Sequence, residues 1–435
     1  MRSLSDLRNE IDSLPKGNIY PKTIKGHVYW YRQYFESGKR VSVLIHQNEL
    51  EEIESKILKR KELEEEYKRR VEAKNIVLSS STKTITGQVM LGDIPVAKFE
   101  NGLLIDIDEK RAPLSIASTK DIALFLKLRV IDSSRTNARL LKKALGIKET
   151  DDRFVSLSAY AASISDNYWF KPKHSKLKYA DIKFEVDAFS DLALKGDLTL
   201  FPAKRKLTPE LTTTGSFEKG WKRVDGSWWL YKSGTKEELF SELFAYELAK
   251  LIGIRTAEYS YDEPYVRSKN FADEMNFEPA ASFCGDNDDY EPSFEAMMRL
   301  GEDIAVNYLR LMMFDAWIFN VDRHNENYGI MRDRLTGEVI SLAPNFDCNL
   351  SLISRNKTLS DKPESDGLIK VFLRFVKTRK DVGDMYRNLD YTDLSLDEIS
   401  DALDRVPKTL WPDNPESLCN ALFVRHRYLV GQLKR

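Results

Sequence analysis

An α+β protein of two or three domains is the fold class this sequence predicts. Three observations carry it. The chain has 435 residues, too many for one ordinary core. Strand-like runs punctuate its earlier parts, with aromatic and β-branched residues alternating with polar ones, and the last part is mainly helical in period. Hydrophobic residues make up 42% and aromatics 11%, enough for sizeable cores rather than wholesale disorder.

Charge and cysteine narrow the function classes. Lys+Arg is 67 and Asp+Glu 68, a formal net charge of −1, which argues against a polyanion-coating protein but leaves room for a local basic patch. Cys284, Cys348 and Cys419 lie far apart without CxxC spacing, so a disulfide scaffold or zinc site is not expected and a reducing cytosol fits. The charged start, MRSLSDLRNEIDSLPKG, and the absence of a long apolar run lead us to expect a cytoplasmic protein with no membrane partner.

Residues 1–77 read as a separate module, with 16 basic residues against 13 acidic, so it carries +3 and the remainder −4. Tyr20 to Ile45 reads as short strands with a turn at Ser37-Gly38, a β-hairpin. Between Lys16 and Arg40 six basic residues face one acid, Glu36, with Tyr20, Tyr29, Trp30, Tyr31 and Tyr34 interleaved. That pattern fits nucleic-acid or partner binding, although small-sheet aromatics more often form core. A long charged helix follows, with a narrow apolar stripe of Leu50, Ile53, Ile57, Leu58 and Leu63. Ser79 to Thr82 reads as a linker. Beyond it, QVMLGDIPVAKFENGLLIDI reads as strands turning at Gly92-Asp93, and 119–147 as two helices. The aromatic-rich LSAYAASISDNYWFKP carries no evident chemical motif.

The informative stretch is FDAWIFNVDRHNENYGIMRDRLTGEVISLAPNFDCNL. An amphipathic helix from about Glu302 should stop near Asn320, followed by Asp322 and, five positions on, Asn327. A hairpin turning at Thr336-Gly337 then leads to a second acid, Asp347. Phosphoryl transfer needs one carboxylate to orient the attacking hydroxyl and an amide oxygen with a second carboxylate to hold Mg²⁺ against phosphates. Any one of these residues alone is more often a cap or turn former. Three of them in the order catalytic loop, hairpin, metal-binding Asp match the protein-kinase arrangement. Asp322 is thus expected as catalytic base, Asn327 and Asp347 as metal ligands, and Arg323 and His324 as loop supports or phosphate contacts.

The upstream half should then supply a phosphate loop, a strand lysine and a helix glutamate. Thr212-Thr213-Thr214-Gly215-Ser216 is a small hydroxyl-rich loop, SWWLYK a strand ending in Lys232, and KEELFSELFAYELAKLIGI a helix bearing Glu242, with Glu238 as a competitor. Adenine contacts are expected near Val266 to Phe271, with Lys269 and Phe271 assigned to the nucleotide.

These residues resemble the HipA-like serine/threonine kinases. The family's N-x-D-R-H-x-x-N stretch is matched by Asn320 to Asn327, its metal-binding Asp by Asp347 in APNFD, its helix by Glu242 to Gly253, and its loop ending in Glu-Lys by Thr214 to Lys219. The resemblance implies an ATP- and Mg²⁺-dependent kinase: a two-lobed protein-kinase-like fold with a mixed β-rich N-lobe over 83–265 and an all-helical C-lobe over 266–435, behind the 1–77 module. It also implies a protein substrate, a helix-turn-helix antitoxin as partner, DNA reached through that antitoxin or through the module, and silencing by autophosphorylation at Thr212, Thr213, Thr214 or Ser216. The TTTGSFEKG loop lacks the small-residue pattern of the best-known members. Competing readings are a catalytically weak kinase-fold regulator that binds DNA or a partner, and a lipid or small-molecule kinase.

Overall fold

In the computed structural model the described residues are 10–24, 27–36, 39–79, 84–185, 187, 189–196, 207–285, 289–354 and 359–433. The chain divides into two compact units, residues 1–85 with 100–103, and 86–99 with 104–435. The turn expected at Ser37-Gly38 and most of the serine linker, from Ser80, lie outside the described residues.

The first unit is a three-stranded antiparallel sheet, where a hairpin was expected. Strands β1 (Asn18–Ile24), β2 (His27–Glu36) and β3 (Lys39–Ile45) pair in that order, and helix α1 (Leu50–Ser79) follows. The additional strand is β1, which pairs along β2 ahead of the hairpin that Ser37-Gly38 marks. A small core of Ile11 and Leu63 forms beside the helix, where the buried Arg60 guanidinium donates to the carbonyls of Ile11 and Leu14.

The second unit begins with β4 (Gly87–Leu91), β5 (Ile94–Glu100) and β6 (Leu103–Ile107), which β7 (Tyr168–Pro172) joins in the order β6-β5-β4-β7. LSAYAASISDNYWFKP therefore supplies the fourth strand. Between β6 and β7 lie four short helices, α2 (Leu114–Thr119), α3 (Ala123–Lys127), α4 (Ala138–Ala144) and α5 (Asp152–Ser158), of which α3 and α4 are the two expected over 119–147. Lys120 at φ 58° ends α2. Helices α6 (Tyr179–Ile182) and α7 (Ser190–Lys195) lead to a 3₁₀ turn, Pro209–Thr212.

A second sheet follows, built from β8 (Lys219–Val224), β9 (Ser227–Lys232), β10 (Tyr259–Asp262) and β11 (Tyr265–Lys269) in the order β10-β11-β9-β8. Helix α8 (Lys236–Leu251) sits between β9 and β10. The expected lobe boundary at 265/266 falls inside β11, which pairs with β9 through Val266 opposite Lys232.

The C-terminal part is mainly helical but contains a sheet of its own. Strand β12 (Met275–Pro279) pairs with β13 (Gly329–Asp333), which pairs with β14 (Val339–Leu342). The expected hairpin is β13-β14, with Gly337 at φ 72° in its turn. Helices α9 (Tyr290–Leu300) and α10 (Glu302–Ile318) precede the hairpin, and α11 (Gly367–Thr378), α12 (Lys380–Arg387), α13 (Leu396–Asp404) and α14 (Pro415–Leu433) follow it. Helix α10 is apolar on nearly every face and is buried as the axis of the largest core. Its end is secured by Arg425, fully buried, which donates to the Ala316 and Trp317 carbonyls and pairs with Asp366 at 2.8 Å. No helix among the described residues is long and apolar enough to cross a membrane.

One buried ion pair fastens β12 to β13. Arg332 and Glu278 bond across the two strands, and Arg332 also reaches the carbonyls of Lys110, Ala112 and Gly337. Burial is the first influence on Glu278 and raises its pKa, with Arg332 opposing. Replacing one partner leaves a buried charge unpaired. Arg332→Met is expected to lower stability by about 3–5 kcal/mol in urea denaturation, and adding Glu278→Gln should recover part of that loss.

Candidate active site

Helix α8 carries its own start signal. Thr235 accepts from the Glu238 N–H and the Glu238 carboxylate accepts from the Thr235 N–H. Glu238 is thereby committed to capping, and Glu242, one turn further in and buried, faces Lys232. Lys232 Nζ lies 3.4 Å from Glu242 Oε1 and 2.6 Å from Asp347 Oδ1. Lys232 is thus shared by two carboxylates, one of them 115 residues away in sequence.

Burial works against the Lys232 charge, but Asp347 and then Glu242 outweigh it and hold its pKa above the ordinary lysine value. Burial likewise favours a neutral Asp347, yet Lys232 and then Lys219 keep this carboxyl well below the usual carboxylate range. Lys219 is buried at the start of β8 and its pKa is pushed down to about 8. Burial is the first cause, Lys232 and Arg135 add to it, and Asp347 and Glu242 oppose it. Its Nζ lies against Gly215, where an added Cβ would sit 2.4 Å from that nitrogen. Gly215 is at φ 90°, a conformation few side chains tolerate, so the loop's glycine answers both to its backbone and to this lysine.

The expected catalytic loop begins where Phe319, in the left-handed region at φ 57°, ends α10. Arg323 is the centre of this segment. Its Nε and Nη2 donate to Asp315 at 2.8 and 2.9 Å, its Nη1 to the Asn327 and Phe346 carbonyls at 2.6 and 2.8 Å, and its Nη2 also to Asn345 Oδ1 at 2.7 Å. All five guanidinium N–H groups are spent, so of the two roles expected for Arg323 the geometry fits loop support and leaves no donor for a phosphate. Burial would lower its pKa, but Asp315 outweighs that and raises it. Asn327 Nδ2 donates to the Asp322 carbonyl at 3.0 Å, which leaves Oδ1 as the atom available to a cation. The His324 N–H also donates to the Asp322 carbonyl, at 2.9 Å. The Asp347 N–H donates to the Tyr259 hydroxyl at 3.1 Å.

A cleft of about 1240 Å³, open to solvent, gathers these groups. Thr212, Thr213, Thr214, Gly215, Lys219, Lys232, Lys269, Phe271, His324, Asn327 and Asp347 line it. Glu242 is buried behind Lys232, while Ser216 is exposed and outside the lining. Asp322 is half-buried and does not line the cleft in this arrangement. The loop hydroxyls differ in access. Thr212 is buried and donates to the Pro209 carbonyl, and Thr213 donates to the same carbonyl at 2.7 Å. At the far wall Phe271, Phe277 and Phe346 form a ring trio with all centroids 5.5 Å apart. The backbone N–H groups of Lys269 and Asn270 are already engaged by the Glu258 and Trp228 carbonyls.

With this geometry in view, the chain can be compared with solved structures. It is similar to a Shewanella oneidensis MR-1 toxin–antitoxin system, HipA with HipB and its operator DNA. The TM-score is 0.54 and the identity 14%, over 80% of this chain and 98% of that one. What is shared is the fold. It is a mixed α+β architecture like that of the HipA-type kinases. A Helicobacter pylori proinflammatory kinase, CtkA, aligns with TM-score 0.35 and 16% identity over 48% of this chain and 90% of that one, a likeness too low to carry an argument. Residues 2–55 match a domain of unknown function (DUF6788). No curated protein matches the sequence.

Sequence reasoning missed the groups that hold this site from behind. Asp315, 2% exposed, lies inside the apolar run LMMFDAWIF, where the lone acid was the signal in the sequence. Arg135 bridges the phosphate-loop candidate by donating to the carbonyls of Thr213 and Lys219, at 3.3 and 2.5 Å. Glu210 accepts from the Trp221 N–H at 2.7 Å, and burial pushes its pKa up to about 7 against the opposing Arg135.

The charge balance makes a pH prediction. Removing Lys232 takes away the first cation that opposes burial at Asp347, which should raise that carboxyl's folded-state pKa above the unfolded one. Groups shifted that way contribute stability at low pH and lose it as pH rises. Lys232→Met should therefore melt well below the parent at pH 7, with a smaller gap at pH 5. An equal gap at both values in thermal melts would count against this account.

Proposed function

We propose that this chain is an ATP- and Mg²⁺-dependent serine/threonine protein kinase of HipA-like type. The observation that carries the reading is the meeting of Lys232 with both Asp347 and Glu242 at one cleft that also holds Asn327 and the Thr212–Gly215 loop. Lys232 would contact the nucleotide's phosphates, with Glu242 holding it in place. Lys219, beside Gly215, offers a second cation to the same phosphates. Asn327 Oδ1 and the Asp347 carboxylate are hard oxygen donors, the class that Mg²⁺ selects, and the metal would neutralise phosphate charge when bound. Asp322 would orient the substrate hydroxyl and receive its proton. Arg323 and Asp315 would act through the loop as positioning residues. The Phe271 ring and Lys269 border the part of the cleft suited to the adenine.

We extend the reading to regulation and partners. Among the loop hydroxyls Ser216 is the exposed one and is the acceptor best placed for autophosphorylation in this conformation. A helix-turn-helix antitoxin, with DNA bound through it, is the partner that the neighbouring HipA complex suggests.

Two measurements test the reading. Asp322→Ala and Asp347→Ala should each cut phosphate transfer from radiolabelled ATP by about a thousandfold or more while circular dichroism stays unchanged. Near-parental turnover in either would remove that residue from its role. The second concerns Lys219. In the nucleotide-free protein its positive charge is present below pH 8 and lost above it, so the dissociation constant for MgATP should rise by roughly an order of magnitude between pH 7.5 and 9. Lys219→Arg, which stays charged, should flatten that rise; a parental profile that is already flat would exclude Lys219 from phosphate binding.

A further inference from the structure

The strand register of the first unit sorts its residues in a telling way. Directly opposite pairs are Tyr20 with Tyr31, Lys22 with Tyr29, and Ile24 with His27. Across the other edge Tyr31 lies opposite Leu44, and Gln33 opposite Ser42. Because successive strand residues point to opposite faces, all of these share one face, and Arg40 joins them two positions before Ser42. On the other face Ile45 is buried and Ile19, Trp30, Arg32, Tyr34 and Val41 are half-buried, while Val28 and Val43 are exposed.

The first face is the more exposed of the two, with Tyr31 and Gln33 half-buried and its other described residues exposed. Tyr20 is 48% and Tyr29 40% exposed, with Leu44 at 44%, so these rings are surface and not the small-sheet core that the sequence pattern favoured. No acidic residue occupies any position of this face from 18 to 36 or from 40 to 45, whereas Lys22, Arg40 and His27 do. Tyrosine rings beside cations, without a carboxylate, complement a ligand that offers flat rings and regularly spaced negative charge. Single-stranded nucleic acid has both: its bases stack on aromatic side chains and its phosphates seek Lys and Arg. A protein-binding surface is the alternative, but lysine is depleted from the cores of such interfaces, and here Lys22 lies directly opposite Tyr29.

We propose that this face of the β1-β2-β3 sheet is a platform for single-stranded nucleic acid, with Tyr20, Tyr29 and Tyr31 stacking bases and Lys22 and Arg40 meeting phosphates. The proposal is independent of the kinase reading and stands or falls without it.

The test uses the full chain, with fluorescein-labelled oligothymidylate, oligouridylate and a DNA duplex of equal length, titrated by anisotropy from about 50 to 300 mM KCl. At least one single strand should bind more tightly than the duplex, the two strands distinguishing DNA from RNA. Tyr20→Leu/Tyr29→Leu should weaken binding by roughly tenfold or more, whereas Tyr20→Phe/Tyr29→Phe, which keeps the rings, should stay near the parent. Lys22→Ala should weaken binding modestly and reduce the logarithmic salt slope by about one. Three results would each overturn the proposal: no single strand bound at about 50 mM KCl, duplex bound as tightly as single strand with the Leu pair unchanged, or a Leu pair that alters only self-association in sedimentation. Since the Phe pair keeps the rings and Lys22 is exposed, these variants should fold like the parent and decide the matter even where the Leu pair folds poorly.

Discussion

A buried guanidinium, Arg323, is the constraint from which the rest of the site follows. Taking an arginine and an aspartate out of water is costly, and the cost is offset only when each donor and acceptor finds a partner. Asp315 supplies the charge, from inside a helix that is otherwise core. The remaining donors go to Asn327, Phe346 and Asn345, so one side chain ties the 320–327 loop to the segment ending in Asp347. Asn320 completes the arrangement by donating to Asp315 at 2.8 Å. Asn345 and Asp347 are tied besides to Arg255 and Tyr259, but Arg323 is the side chain that joins the loop to that segment.

The cleft itself is governed by charge held in low dielectric. Lys232, Lys219, Asp347 and Glu242 lie close together and shift one another in opposing directions, the acid Asp347 down and the two lysines apart. Such divergence is what a site arranged for a charged ligand looks like, although structural ion pairs alone also produce it. Here the pairs sit at an open cleft beside a glycine-containing loop whose ends Arg135 clamps. Preorganisation by groups behind the site accounts for the second layer of buried polar residues: Asp315, Arg135 and Glu210.

Much of this was legible beforehand, for physical reasons that can be named. Helix α8 was readable because a capping box, an apolar period and Gly253 bracket it, and the same box shows why Glu238 is spent and Glu242 is left for Lys232. The β13-β14 hairpin was readable from its alternation and its Gly337 turn. Two of the short helices, α3 and α4, were readable over 119–147, whereas α2 and α5, on either side, are short segments of six and seven residues that left no clear period of their own. The role of 157–172 was invisible, since a strand recruited across a distance of about 80 residues leaves no local trace.

By itself, the sequence determined the order of the parts: loop, strand lysine, helix glutamate, Asp-x₄-Asn loop, hairpin, second Asp, and a basic aromatic module ahead of them. Order and residue type suffice for that, because caps, turns and periodicity are local. Only the tertiary structure decided which side chains are consumed and which are free. It spent the guanidinium of Arg323 and the carboxylate of Glu238 on support, brought Lys232 to Asp347, and turned Tyr20 and Tyr29 outward instead of into a core. Those outcomes depend on burial and on partners far away in the chain, and neither is encoded in the spacing of neighbouring residues.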